Sequence, residues 1–262
     1  MRILFIGDIV GRPGRETVAS LLPDLRAEHD PDFVIANGEN AAAGLGLTEK
    51  TAGFLFDYGI DCLTSGNHIW AQKEALDYLS REPRVLRPAN YPPGTPGAGF
   101  GVYSTGSGQR LAVINLMGRV FMDPMDDPFR TADQVLKELG EVDAILVDFH
   151  AEATSEKAAL GRYLDGRVTA VIGTHTHVPT ADETVFPGGT AFITDAGMVG
   201  PEESIIGVEI PISLHRFLTG IPMRFQVPNR GPCIFSAVMI ESTRPQGLAE
   251  SIRRLYLHYP PE

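Results

Sequence analysis

Two histidines stand two residues apart in the segment GTHTHV, directly after the apolar run RVTAVI. Because alternate side chains of an extended segment point to the same side, His175 and His177 can face one common point. Imidazole nitrogens are good ligands for several transition metals. The chain has only seven histidines, so this pair predicts a metal site, provided that other ligands lie nearby.

Side chains that can bind metal also stand at the ends of other predicted buried strands. In open α/β sheets, binding sites collect at the carboxyl ends of the strands. Each residue alone has an ordinary interpretation as a turn residue or a hydrogen-bonded polar group. Their recurrence at five strand ends favours a shared function. The candidate ligands are Asp8, Glu39, Asn40, Asn67, His150, His175 and His177.

These seven candidates are more than one ion needs. A catalytic zinc ion takes about three protein ligands. Two ions about 3.5–4 Å apart, with one carboxylate bridging them, need a larger set, and such pairs catalyse in-line displacement at phosphorus. Oxygen and nitrogen donors without a cysteine cluster suit Mn, Fe, Co, Ni or Zn, and ligand softness does not choose among these metals.

The elements that must position these residues alternate along the chain. The first part, up to about residue 80, shows a βαβαβα pattern in which the strands are apolar enough to be buried on both faces. A hairpin that turns at Gly106–Gly108 follows, then further strands and helices, with a final helix from about Leu248. This order predicts an α/β fold with one mixed sheet or two packed sheets. No convincing linker interrupts it, so we expect a single domain over residues 1–262.

Composition narrows the class of protein. The chain of 262 residues is 43% hydrophobic and carries a net charge of −11 without a Lys/Arg cluster. A long nucleic acid is therefore not an expected partner, whereas a small phosphate ester is compatible because a metal cluster can outweigh the global charge. No apolar stretch reaches the roughly 20 residues of a membrane span, and the N-terminal apolar run is too short for a signal peptide. We expect a cytoplasmic protein with no membrane partner, and leave homo-oligomerisation open.

Three further features have structural interpretations. Cys62 and Cys233 lie far apart within apolar runs, which favours buried free thiols. The long loop from Met117 to Arg130 either covers the site or anchors its apolar residues to the core. Arg12, in the turn after Asp8, either approaches a phosphate or is solvated.

The order of the motifs GDIV, NGEN, GNHIW, DFHAE and GTHTHV resembles that of the calcineurin-like metallophosphoesterases. The chain departs from the usual pattern at three positions. Val10 replaces a histidine ligand, Glu39 replaces a bridging aspartate, and Thr174 is inserted in the Gly-His-x-His motif. These departures, with strings such as GDIVGRPGR and NGENAAAGLGLT, are similar to one subgroup, the YmdB-type cyclic-nucleotide phosphodiesterases. The resemblance runs to at least TDAGMVGP and covers most of the chain.

The resemblance implies a four-layer α/β/β/α sandwich of two mixed sheets flanked by helices. It implies two metal ions, with Fe and Mn favoured, and His68 as general acid. It also implies a cyclic-nucleotide substrate, with the 2′,3′-cyclic form preferred and the 3′,5′-cyclic form possible. The implied ligands are Asp8, Asn40 and His177 for one ion, Asn67, His150 and His175 for the other, and Glu39 as the bridge.

The expected reaction is attack on phosphorus by a hydroxide held between the two ions, while His68 donates a proton to the leaving ribose oxygen. A phosphomonoesterase or 5′-nucleotidase would use the same metals, because specificity lies in the pocket. A metal-binding regulatory protein that acts through partners is a third alternative.

Overall fold

The strands carry apolar residues on both faces, and the computed structural model shows where each face packs. It describes residues 1–243 and 247–260. In β1 (Arg2–Ile6), Ile3 and Phe5 enter an apolar layer shared with a second sheet, whereas Leu4 and Ile6 pack under helices. Because successive side chains of a strand alternate between its faces, both sets are buried.

The first sheet holds seven strands within the described ranges. They are β1, β2 (Asp8–Ile9), β3 (Phe33–Asn37), β4 (Cys62–Thr64), β11 (Met198–Pro201), β12 (Cys233–Glu241) and β13 (Ser251–Tyr259). Their order is β2-β11-β12-β1-β3-β4, and β13 also pairs with β12. Strands β1, β3 and β4 are parallel, so their carboxyl ends lie at one edge of the sheet.

The second sheet holds six strands in the part of the chain that is described. They are β5 (Phe100–Ser104), β6 (Arg110–Met117), β7 (Ala144–His150), β8 (Ala170–Thr174), β9 (Thr184–Val185) and β10 (Ala191–Ile193), in the order β5-β6-β7-β8-β10-β9. Strands β6, β7, β8 and β10 are parallel. Strands β5 and β6 form the hairpin that the sequence predicts.

Helices cover the outer face of each sheet. Those described are α1 (Gly11–His29), α2 (Glu49–Asp57), α3 (Ala75–Leu79), α4 (Pro128–Glu138), α5 (Thr154–Tyr163) and α6 (Ile210–Thr219). The first three pack on the first sheet, and α4 and α5 pack on the second. The predicted four-layer sandwich is therefore confirmed, whereas the single domain over residues 1–262 stays a prediction. None of the helices in the described ranges has the length and apolar character needed to cross a membrane.

The predicted final helix from about Leu248 is wrong. The segment Ser251–Tyr259 forms β13, which runs antiparallel to β12 along its whole length. Leu255 and Leu257 pack against the core, and Tyr256 between them is exposed. This alternation has a period of two, and the long ladder with β12 outweighs the local helical preference.

Both cysteines are free and buried, as the sequence predicts. Cys62 lies on β4 in the apolar layer between the sheets, and burial raises the pKa of its thiol to about 12. Cys233 begins β12, and burial raises the pKa of its thiol as well.

We expect neither thiol to react with dithionitrobenzoate in the native protein at mildly alkaline pH, because the thiolate is the reactive form and burial disfavours it. Unfolding in guanidinium chloride should release both thiols of the chain. If only part of the thiol reacts, labelling of a Cys233→Ser variant shows which of the two cysteines is responsible. Fast stoichiometric labelling of the folded protein would show that the packing around β4 or β12 is looser than described.

Candidate metal centre

The carboxyl ends of strands from both sheets meet at one place. Asp8 opens β2, Glu39 follows β3 and Asn67 follows β4, all in the first sheet. His150 ends β7 and His175 follows β8 in the second sheet. Contacts between side chains link all the predicted ligands into one cluster, which we call the centre: Asp8, Glu39, Asn40, Asn67, His150, His175 and His177.

One half of the centre surrounds Nε2 of His150. Oε1 of Glu39 lies 3.1 Å from this nitrogen, and Oδ1 of Asn67 also lies 3.1 Å from it. Nδ1 of His175 lies 3.0 Å from it. The ligand atoms of Glu39, His150 and His175 lie within 4.8 Å of one another, a spacing that allows one metal ion to reach all three.

The other half contains Asp8, Asn40 and His177. Nε2 of His177 lies 3.1 Å from Nδ2 of Asn40 and 3.8 Å from Oδ1 of Asp8. Nδ2 of Asn40 lies 3.3 Å from Oε1 of Glu39, so the Glu39 carboxylate stands between the two halves. Oδ1 of Asp8 is buried without a hydrogen-bond partner among the described residues. A buried carboxylate oxygen in this state is costly unless a cation binds it, so the donor set fits metal ions.

Hydrogen bonds behind two of the rings leave the inward nitrogen of each ring available. Nδ1 of His150 lies 2.9 Å from Oγ1 of Thr174, and this hydroxyl donates to Oδ1 of Asp148 at 2.7 Å. Because the hydroxyl proton goes to the carboxylate, its oxygen accepts from Nδ1–H, and Nε2 of the neutral ring can bind metal. His177 is held in the same way, with Nδ1 2.9 Å from the carbonyl oxygen of Ile206.

The segment that carries the two paired histidines is not extended, so this part of the sequence interpretation is wrong. The backbone φ is 100° at His175 and 66° at His177, in a region that non-glycine residues rarely occupy. Asp195 Oδ2 accepts hydrogen bonds from the backbone N–H and the hydroxyl of Thr176, at 3.1 and 2.8 Å. The same carboxylate pairs with buried Lys157 at 2.7 Å. This ion pair fixes the strained conformation that directs both rings into the centre.

Gly66 makes room for the centre, and His68 lies beside it. A Cβ at Gly66 would collide with the His150 ring and with the Glu39 carboxylate, so this close approach requires glycine. The backbone N–H of His68 donates to Oε2 of Glu39 at 3.0 Å. His68 thereby lines the same cavity as Glu39 and His177.

The electrostatics of the centre favour bound cations. Burial raises the pKa of Asp8 well above its usual range and raises the pKa of Asp148 to about 6. Burial also acts to raise the pKa of Glu39, but the adjacent His150 outweighs it and lowers that pKa. Burial acts to lower the pKa of His150, but the Glu39 carboxylate raises it. Acidic side chains are thus buried around Asp8, where their charged forms are disfavoured without a cation, and divalent ions bound there would favour those charged forms.

A cavity of about 620 Å³ opens in front of the centre. Part of its wall comes from α6 and the residues after it, including Phe217 and Phe225. No residue of the Met117–Arg130 loop is among the described residues that line it. Met122 and Phe129 instead pack on the outer face of the second sheet, so the anchoring alternative holds for them.

Several residues around the centre were missed by sequence reasoning. Asp148 stands two positions before His150 on one strand, so the period of two could have found it. Glu152 lies within the motif DFHAE, and its Oε2 lies 3.2 Å from Nε2 of His175. Lys157 and Asp195 come from distant segments and carry no local signal.

Comparison with known proteins decides the family. The family model described as YmdB-like protein matches residues 4–255, nearly the whole chain. The chain belongs to the YmdB-like family. The resemblance predicted from the motifs is therefore confirmed.

Individual relatives agree over nearly their full lengths. The chain is 49% identical over 259 residues to the 2′,3′-cyclic-nucleotide 2′-phosphodiesterase of Bacillus subtilis (strain 168), covering 98% of this chain and 97% of the relative. A crystal structure of a hypothetical protein from Thermus thermophilus matches with a TM-score of 0.94 and 48% identity, covering 99% of this chain and 100% of that one. A crystal structure described as a novel phosphatase from Mycoplasma pneumoniae has a TM-score of 0.93 and 32% identity, and the match covers 99% of this chain and 94% of that one.

The family match and these relatives confirm two predictions. The four-layer fold is shared with both crystal structures. The chain is an enzyme of the metallophosphoesterase kind, a hydrolase of phosphate esters. The structure brings the seven predicted ligands together, and their individual roles toward metal stay predictions.

Thr174→Val tests how His150 is held. The change keeps the shape of the side chain and removes the hydroxyl between His150 and Asp148, so we expect metal affinity to fall about 10–100-fold. Chelator competition followed by atomic emission spectroscopy measures it. Thr190→Val is the matched control, because the buried Thr190 hydroxyl bonds the Val168 carbonyl at 2.7 Å, outside the centre. Equal metal retention in wild type and Thr174→Val would contradict the role of this hydroxyl.

Proposed function

We propose that the chain hydrolyses cyclic nucleotides, with the 2′,3′-cyclic form preferred, at two transition-metal ions bound in the centre. The observation that carries the proposal is the buried Asp8 oxygen, which has no hydrogen-bond partner among the described residues, within a cluster of seven ligand side chains beside a nucleotide-sized cavity. The substrate assignment is supported by the 49% identity to the Bacillus subtilis 2′,3′-cyclic-nucleotide 2′-phosphodiesterase.

The proposed ligand roles follow the two halves of the cluster. Bound there, two divalent ions would neutralise charge on the phosphate oxygens and lower the pKa of water. Fe and Mn are the proposed metals, since both suit oxygen and nitrogen donors. The proposed ligands are Asp8, Asn40 and His177 for one ion, Asn67, His150 and His175 for the other, and Glu39 for both.

Opening of the cyclic phosphate requires a proton for the leaving oxygen. A water oxygen forms the new bond to phosphorus, the P–O2′ bond breaks, and the product carries a 3′-phosphate and a 2′-hydroxyl. We assign the proton on O2′ to His68, whose ring lines the cavity and lies outside the ligand set. Its Nε2 lies 3.4 Å from Nδ2 of Asn67, next to the position where phosphate would bind.

Two related activities use the same groups. A 3′,5′-cyclic nucleotide is a proposed secondary substrate, because it presents the same diester and a ribose leaving oxygen. A phosphomonoesterase is the second candidate function, favoured by the Mycoplasma pneumoniae structure that is described as a phosphatase.

Initial rates on Mn²⁺-loaded protein test the proposal. The substrates are 2′,3′-cAMP, 3′,5′-cAMP, bis-p-nitrophenyl phosphate and p-nitrophenyl phosphate, and Glu39→Ala is the blank. We expect the diesters to turn over, 2′,3′-cAMP to be fastest, and the blank to be inactive. Faster turnover of the monoester would replace the substrate assignment. Absence of turnover with metal demonstrably bound would favour a regulatory protein that acts through partners.

His68→Ala tests the proton donor. We expect metal to be retained and kcat for 2′,3′-cAMP to fall about 10²–10⁴-fold. The kcat for bis-p-nitrophenyl phosphate should fall much less, because p-nitrophenolate is a good leaving group that needs no proton. His258→Ala removes an exposed histidine on β13 and serves as the matched control. Equal losses for the two substrates would rule out His68 as the general acid.

A further inference from the structure

A second cavity adjoins the one in front of the centre. It has a volume of about 400 Å³, and three arginines line it: Arg12, Arg15 and Arg224. None of the described residues that line it is acidic. A cavity of this composition, in a chain with a net charge of −11, is suited to an anion.

The two cavities share one wall. Ala43, Phe225 and Val227 line both of them. Val227 is seated against Gly11 and Gly44, since a Cβ at either glycine would press on its side chain, at 3.0 and 2.7 Å. The segment after α6 is thereby fixed on the loop that follows Asn40. A ligand bound at the centre that extends past Ala43, Phe225 and Val227 would enter the arginine cavity.

The arginine side chains have donors available. Arg15 is half-buried and donates to the carbonyl oxygen of Ala41, two residues after Glu39. Arg12 pairs with Glu16 through Nε at 2.6 Å, and its terminal nitrogens have no hydrogen-bond partner among the described residues. Arg224 is exposed and forms no ion pair within the described ranges. Guanidinium groups in this state match phosphate oxygens.

We propose that this arginine cavity binds a phosphate group on O5′ of the nucleoside whose cyclic phosphate lies at the centre. This inference rests on the proposed function. Attack by a ribose 2′-hydroxyl on its neighbouring phosphodiester leaves a 2′,3′-cyclic phosphate at the end of an RNA strand, and such an end carries a phosphodiester on O5′. The substrate class is therefore a short oligoribonucleotide with a 2′,3′-cyclic end, or a nucleotide with a 5′-phosphate. Both share the chemistry that the arginines recognise.

Three substrates separate these sources: 2′,3′-cAMP, its 5′-phosphorylated form, and the ApA dinucleotide with a 2′,3′-cyclic end. We expect a phosphate on O5′ to raise kcat/KM about tenfold through KM, as one charge-assisted contact allows. The Arg12→Gln/Arg224→Gln double variant should lose this advantage. Arg15 is left in place because it holds the loop beside the centre. Arg253→Gln, an exposed arginine on β13, is the matched control and should keep the advantage.

The pattern of advantages identifies the source. A higher kcat/KM for the dinucleotide than for 2′,3′-cAMP assigns the cavity to oligoribonucleotide ends. A higher kcat/KM for the 5′-phosphorylated nucleotide alone assigns it to a terminal phosphate. The proposal is overturned if neither substrate has an advantage in the wild type, or if the advantage survives the double substitution.

Equilibrium binding separates failure of this inference from failure of the proposed function. Isothermal titration of the same ligands into Glu39→Ala protein requires no hydrolysis. We expect the ligands with a phosphate on O5′ to bind about tenfold more tightly, and the two arginine substitutions to remove the difference. Equal dissociation constants would refute the arginine cavity even if 2′,3′-cAMP is hydrolysed. A clear difference without turnover in the wild type would keep the cavity and refute the proposed function.

Discussion

The contact between the Glu39 carboxylate and the His150 imidazole, at 3.1 Å, determines how the two sheets must stack. Glu39 follows β3 of the first sheet, and His150 ends β7 of the second. Both side chains are buried, and neither can lie far from its partner without leaving a desolvated charge or an unsatisfied ring nitrogen. The sheets must therefore pack with the carboxyl ends of their parallel strands at the same edge. The apolar layer between them and the absence of a side chain at Gly66 permit this approach.

The centre is locally unfavourable for the folded protein without ions. Asp8 is buried close to the carboxyl groups of Glu39 and Asp148, and the backbone is strained at His175 and His177. Such an arrangement persists only where rigid surroundings hold it, and here buried strands of both sheets do so. Cations at the centre would relieve the repulsion that the fold imposes. The same features therefore argue for a binding function, because a sequence selected for stability alone would not gather them.

Local patterns made the ligand positions predictable. Strand ends can be recognised from apolar runs, and all seven candidate ligands come together in the structure. The contacts that hold these ligands in place could not be predicted from the local sequence. The Asp195 carboxylate, in the segment after β10, accepts a hydrogen bond from Thr176, and the Ile206 carbonyl holds His177 from a separate loop. The error at β13 has the same origin, because its ladder partner β12 is fixed by tertiary pairing.

The side of the cavity that faces away from the ligands has a different chemistry. The centre offers carboxylates and imidazoles, which suit metal ions, and metal ions that bind phosphate oxygens do not distinguish one phosphate ester from another. Under the proposed function, selectivity would arise partly at α6 and the segment that follows it, where Phe217 is 80% exposed and the Arg216 guanidinium lies 5.3 Å from the centre of the Phe225 ring. An aromatic wall next to guanidinium groups suits a flat base joined to phosphate. Under the proposed function, the strand ends would determine the reaction type, and α6, its following segment and the arginine cavity would determine the choice of substrate.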